Sequence, residues 1–153
     1  MYTPERDRTM KEFMEAAIDE ARLGLQEGGI PIGSVLVRDG KIIGRGHNRR
    51  IQNGDPLAHA EIECMRNAGR IGSYANTILF STLIPCYLCS GAIVQFGIEK
   101  VIVGESRTFK GDIEFLKDHW VDVEDWDMKE CVELMTEFIK NNPTLWNEDI
   151  GKL

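Results

Sequence analysis

Residues 77–103 read TILFSTLIPCYLCSGAIVQFGIEKVIV. Thr77 to Leu83 is an apolar, partly β-branched run of strand length. Pro85 then opens a helix over Cys86 to Phe96, because proline's fixed φ suits a first helical position. Gly97 closes that helix, and Ile98 to Val103 returns as a second strand. Strand, helix, strand is a crossover unit whose two strands run parallel.

The flanks extend this unit. Upstream, His59 to Ala68 reads as a helix stopped at Gly69. Gly33 to Arg38 and Lys41 to Gly46 are strand-like runs around Asp39-Gly40, a strong hairpin signal. A loop containing Asn53-Gly54-Asp55-Pro56 follows the hairpin. Met10, Phe13, Met14, Ala17, Ile18 and Ala21 recur at helical spacing and predict a first helix to about Gln26, ended by Gly28-Gly29. Downstream, Trp120 to Val123 reads as a short strand and Met128 to Lys140 as an amphipathic helix. Pro143 opens a last short helix. A hairpin followed by strands alternating with helices predicts an α/β fold, a three-layer α/β/α sandwich with a central mixed five-stranded sheet. At 153 residues the expectation is one domain, 1–153.

Bulk properties narrow the function. The net charge of −7 gives no general attraction to phosphate backbones or anionic membranes. No run approaches the roughly 18 apolar residues of a membrane span. The stretch from Met1 to Glu12 lacks the apolar segment of a secretory signal. With four cysteines, the reading is a cytoplasmic protein with reduced thiols.

Two of those thiols stand at Cys86 and Cys89, three apart, sharing a helix face at the end where the helix dipole favours thiolates. Alone, the pair reads first as a metal site, with a redox pair or two core thiols as the alternatives. The pattern His59-Ala60-Glu61, then Pro85-Cys86-x-x-Cys89, matches H-x-E…P-C-x-x-C, a signature of zinc deaminases of nucleobases. His59, Cys86 and Cys89 are then the ligands of one Zn2+, with the fourth position open to water, as in catalytic sites. Glu61 is the catalytic acid–base, and zinc chemistry lowers the pKa of water toward about 7. Residues two apart on an ideal helix lie about 200° apart. His59 and Glu61 therefore converge only if His59 sits at the irregular start of its helix. Cys64 and Cys131 read as core thiols, and His47 and His119 as ordinary loop or strand-end histidines.

Further segments carry a resemblance: residues 27–33 (EGGIPIG), 44–48 (GRGHN), 81–86 (STLIPC), 108–110 (TFK) and the tail 146–151 (WNEDIG). The chain resembles the fungal-type cytosine deaminases, related in fold to tRNA adenosine deaminases and bacterial guanine deaminases. The resemblance implies hydrolytic deamination of a free base, cytosine to uracil with release of ammonia, by a homodimer. It also implies substrate contacts. Asn48 bonds the polar edge of the pyrimidine, Asp149 meets the exocyclic amine, and Phe109 and Trp146 wall the pocket. The tail at about 143–153 closes as a lid, and residues 93–98 are the candidate apolar contact surface between copies.

Two positions depart from the fungal-type pattern. Ala60 stands where those enzymes carry Gly, and presents a methyl to the substrate region. Tyr87 stands where they carry an acidic residue. His-Ala-Glu is shared with the tRNA and guanine branches, so guanine, a cytosine analogue and tRNA adenosine stay open as substrates. The acidic charge and acidic–aromatic tail argue against nucleic acid. A non-catalytic zinc-binding partner protein is a further reading, opposed by the presence of Glu61 and the open ligand position.

Overall fold

The computed structural model describes residues 3–152. Met1, Tyr2 and Leu153, which belong to the expected domain and lid, lie outside the described residues. The chain begins with α1 (Pro4–Gln26), followed by the hairpin β1 (Gly33–Arg38) and β2 (Lys41–His47). Then come α2 (Arg50–Asn53), α3 (Ala60–Ala68), β3 (Thr77–Ser81), α4 (Tyr87–Phe96) and β4 (Lys100–Val103). The last elements are α5 (Ile113–Asp118), β5 (Asp122–Asp125), α6 (Lys129–Asn141) and α7 (Pro143–Asp149).

Local chemistry sets these boundaries. Thr3 Oγ1 accepts the Arg6 amide and Pro4 occupies the first position of α1, two standard helix-start devices. Asp39 and Gly40 both take positive φ, 52° and 73°, as the tight turn between right-twisted strands requires. The five strands order as β2-β1-β3-β4-β5, with β1 antiparallel to both β2 and β3 and the pairs β3–β4 and β4–β5 parallel. This is the expected mixed sheet, and its faces alternate. Val35, Val37, Phe80 and Ile102 pack with Phe13, Met14, Ala17 and Ile18 of α1 and Cys131 of α6. Leu36, Leu79, Val101 and Val103 face the other way, with Ala60, Cys64, Met65, Ile93 and Leu116 from α3, α4 and α5. Met135, Phe138 and Trp146 join that second cluster, so the C-terminal helices reach around to the α3–α4 side.

Two expectations are adjusted and one helix, α5, is added. The fifth strand runs two residues later than 120–123, because Val121 is drawn into a helix-end turn by its hydrogen bond to Leu116 O. α5 has only six residues, too few to show a periodic stripe; its signal was the cap Asp112, which accepts the Phe115 amide at 3.0 Å. α2 is a single turn inside the expected loop.

Glycines let the layers close on the sheet. A Cβ on Gly46 would come within 2.7 Å of the Cys64 amide, and one on Gly44 within 2.6 Å of Cys64 O, so α3 rides on the bare backbone of β2. On the opposite face, a Cβ on Gly33 would collide with Ala17 O and lie 2.6 Å from the Ala21 amide of α1. These contacts are backbone and cannot swing aside. Gly33→Ala is expected to cost about 2 kcal/mol or more of stability, read as a lowered urea midpoint with unchanged slope. A wild-type midpoint would show that α1 is free to shift.

Candidate active site

β1 starts, and β2, β3 and β4 end, at one edge of the sheet, where Gly33 pairs His47 and Ser34 pairs Ser81. Thr82 ties this edge together: its amide donates to Gly33 O, and its hydroxyl accepts the Gly33 amide. The starts of α3 and α4 sit over the same edge. Each is preceded by a cap residue in extended conformation, His59 (φ −74°, ψ 156°) and Cys86 (φ −75°, ψ −178°). Neither side chain caps its own helix, so both are available to each other.

They meet at 3.4 Å, His59 Nδ1 to Cys86 Sγ. The donor atoms of His59, Cys86 and Cys89 all lie within 4.8 Å of one another. Zinc bonds of ~2.0 Å to nitrogen and ~2.3 Å to sulfur, at tetrahedral angles, place neighbouring ligand atoms roughly 3.5 Å apart, so one nitrogen and two sulfurs at this spacing suit that ion. The irregular helix start required for His59 and Glu61 to converge is present, since His59 is the cap and Glu61 lies in the first turn.

The charges in the cluster are strongly coupled. Donation from the Cys89 thiol holds Cys86 as a thiolate, down at about 4 against the cost of burial, with His59 assisting. Cys89 is pushed well above the usual thiol range by that same bond and by burial. Burial works against the His59 cation, but Cys86 and Asp149 outweigh it and raise its pKa to about 9. Glu61 is raised to about 7, chiefly by burial and then by the Cys86 thiolate. A carboxyl group poised there exchanges a proton readily at neutral pH.

Beside the cluster opens a cavity of about 760 Å3. Asn48, His59, Ala60, Glu61, Cys86, Phe109, Trp146 and Asp149 all line it, while Cys89 is buried beneath. Phe109 and Trp146 meet edge to face, ring centroids 5.9 Å apart. Phe109 is carried by the loop after β4, which is moulded around the fully buried Glu105 carboxylate. One Glu105 oxygen accepts the Arg107 and Thr108 amides, at 2.7 and 3.0 Å. Ala60 is the first residue of α3, and such an amide has no partner within its helix.

Two polar atoms in the cavity wall lack a hydrogen-bond partner. Asn48 Oδ1 accepts the Arg50 amide at 3.0 Å, which fixes the side-chain amide and leaves Nδ2 buried with no partner. Asp149 Oδ1 lies 3.2 Å from His59 Nε2 and 3.3 Å from Arg50 Nε, yet accepts no hydrogen bond. The first is a spare donor and the second a spare acceptor.

The sequence reading missed Arg50, which stands behind Asp149, and Glu105, which shapes the Phe109 loop; neither belongs to a motif. His47 is more than an ordinary strand-end histidine. It is buried between Glu20 of α1 and Glu27, the residue that caps the end of α1, with Nδ1 and Nε2 at 2.9 and 2.8 Å from their carboxylates. Cys64 and Cys131 are buried core thiols, as expected. In the 93–98 stretch Ile93 and Ile98 are core; the exposed apolar side chains of this region are Tyr87 (76%), Leu88 (41%) and Phe96 (51%).

Residues 7–105 match the family model for the cytidine and deoxycytidylate deaminase zinc-binding region. The chain is 40% identical over 145 residues to a cytosine deaminase of Candida albicans, covering 93% of this chain and 97% of that one. In structure it is similar to a chain from studies of A-to-I editing by tRNA:A34 deaminases, with TM-score 0.72 and 32% identity, covering 81% of this chain and 99% of that one. It is also similar to a guanine deaminase of Bacillus subtilis, with TM-score 0.57 and 36% identity over 61% of this chain and 62% of that one.

The ionisation pattern predicts selective chemistry at one thiol. In chelator-treated protein at about pH 6, Cys86 lies above its pKa of about 4 and is half-buried, whereas Cys64, Cys89 and Cys131 are buried and raised. Iodoacetamide should label Cys86 first, as read by peptide mass mapping. Equal labelling of all four would refute the assigned thiolate.

Proposed function

The chain belongs to the cytidine and deoxycytidylate deaminase family and is a zinc-dependent deaminase; from that premise we propose that it converts free cytosine to uracil and ammonia. We assign His59, Cys86 and Cys89 as the zinc ligands and Glu61 as the proton carrier. The observation that carries the substrate assignment is two polar atoms without a hydrogen bond in one cavity, a donor at Asn48 Nδ2 and an acceptor at Asp149 Oδ1. Cytosine offers a ring carbonyl and an exocyclic amine to match them. A buried polar group left unpaired by the wrong base penalises that base strongly. The identity to the Candida albicans cytosine deaminase along nearly the whole chain supports the same reading.

When bound, zinc supplies the Lewis acidity that makes water nucleophilic near neutral pH. Glu61 accepts a proton from the attacking water and delivers it to the ring nitrogen next to the reacting carbon. It then carries the remaining hydroxyl proton to the departing amine, so one carbon–oxygen bond forms, one carbon–nitrogen bond breaks and ammonia leaves. Asn48 holds the carbonyl edge, Phe109 and Trp146 wall the pocket around the ring as an edge-to-face pair, and the Ala60 methyl narrows the cavity beside Glu61. The segment 143–152, with Trp146, Asp149 and Ile150 in the cavity wall, acts as a lid that closes over the base and excludes water.

We further assign a single domain and a homodimer working in the cytoplasm, where its product feeds pyrimidine salvage. The exposed Tyr87, Leu88 and Phe96 support self-association. Among the described residues no helix is long and apolar enough to cross a membrane. A monomer mass of 17.3 kDa at all concentrations in sedimentation would dispose of the dimer.

The decisive experiment is ammonia release across free bases, nucleosides and tRNA. Cytosine should react and cytidine poorly; turnover of guanine alone or tRNA alone would overturn the substrate assignment. Glu61→Gln should keep zinc and lose at least about 10²-fold in turnover. His59→Ala and Cys86→Ala should lose the roughly one equivalent of zinc that wild-type protein carries. Full occupancy in both would remove the ligand assignment.

A further inference from the structure

Arg50 contacts the site from outside the cavity wall. Its backbone amide fixes the Asn48 side chain at 3.0 Å. Its guanidinium lies mostly buried, with Nε 3.2 Å from Pro56 O, to which it donates, and 3.3 Å from Asp149 Oδ1. The side chains of Arg50 and Asp149 are 12% and 5% exposed. α7 has seven residues, too few for a stable helix by itself, so its place depends on anchors. The Trp146 ring against Phe109 and Leu145 against the core are apolar anchors, and the Asp149 carboxylate is a polar one. Burying that carboxylate costs several kcal/mol unless it is paired. His59 alone is a shared partner, since its other ring nitrogen faces Cys86. Arg50 adds the compensating charge, and the Pro56 carbonyl holds its head in place.

We propose that Arg50 is a positioning residue, a latch that holds α7 closed by gripping Asp149 and aims that carboxylate at His59 and the substrate amine. The proposal rests on the reading of α7 as a lid. Through its main chain Arg50 also fixes Asn48, so one residue of α2 sets both the donor and the acceptor edges of the cavity. Side-chain substitution separates the two roles, because it leaves the Asn48 contact with the Arg50 amide intact.

The test is Arg50→Gln in zinc-loaded protein, read by hydrogen exchange and by kinetics on whichever free base the wild type turns over fastest. The expected result is exchange in residues 144–150 faster by about tenfold or more, with the sheet and α1 unchanged. Zinc content should be retained, and KM should rise about tenfold while kcat changes less. Arg50→Lys should recover part of the KM, and it carries the test if Arg50→Gln does not fold. Asp149→Asn should loosen α7 similarly, and the double variant Arg50→Gln/Asp149→Asn should be no looser than the worse single variant. Unchanged α7 exchange and KM in Arg50→Gln would overturn the latch. So would exchange that rises uniformly over the chain, since that marks a general structural anchor. A wild type inactive on cytosine would sink the substrate assignment and leave the exchange test standing.

Discussion

His59 Nδ1 and Cys86 Sγ approach to 3.4 Å, joining the starts of two helices that are far apart in sequence. Both residues are helix caps that give up the usual duty of a cap, which is to bond the first free amides of the helix. Their side chains are thereby turned to one another, and Glu61 and Cys89 follow from the first turns behind them. Helix starts also carry partial positive charge, which favours the Cys86 thiolate and offsets part of the burial of Glu61. The convergence holds only if both helices lie tightly on the sheet. Gly44 and Gly46 let α3 rest on β2, and Gly33 lets α1 rest on the other face of the same edge.

The electrostatics follow from that joint. Cys86, Glu61 and Asp149 bring anionic groups into one small volume, against His59 and Arg50. The cluster is short of positive charge, and this deficit is the electrostatic reason that its nitrogen and sulfur donors suit a divalent cation. Burial raises Glu61 to about 7, where a carboxyl group gains and loses a proton near neutral pH. The same low-dielectric surroundings make a polar atom without a hydrogen bond costly, and Asn48 Nδ2 and Asp149 Oδ1 are two such atoms in one cavity wall.

Much of this was legible in the chain. Apolar periodicity set α1, α6 and the strands, since these elements bury one stripe or alternate faces. Asp39-Gly40 located the hairpin because few residue pairs accept two positive φ values. The spacing of His59, Glu61, Cys86 and Cys89 pointed to zinc because thiolate and imidazole donors at that spacing serve few other ends. What escaped was short or non-local. α2 and α5 are too brief for a period to register, and β5 shifted because a helix-end turn claimed Val121.

The sequence by itself determined the order of the strands and longer helices, the sheet type and the set of donor residues, because each depends on local spacing or local backbone chemistry. Tertiary structure alone decided that Arg50 stands behind Asp149, that Glu105 shapes the loop bearing Phe109, and that His47 is clamped by the carboxylates of Glu20 and Glu27. Those are pairings between residues 20 to 99 positions apart, or within a turn of no periodic signature. Distance along a chain carries no charge complementarity that a pattern can register. The partners are fixed only when close-packed layers bring them into a volume where an unpaired charge is too costly to leave.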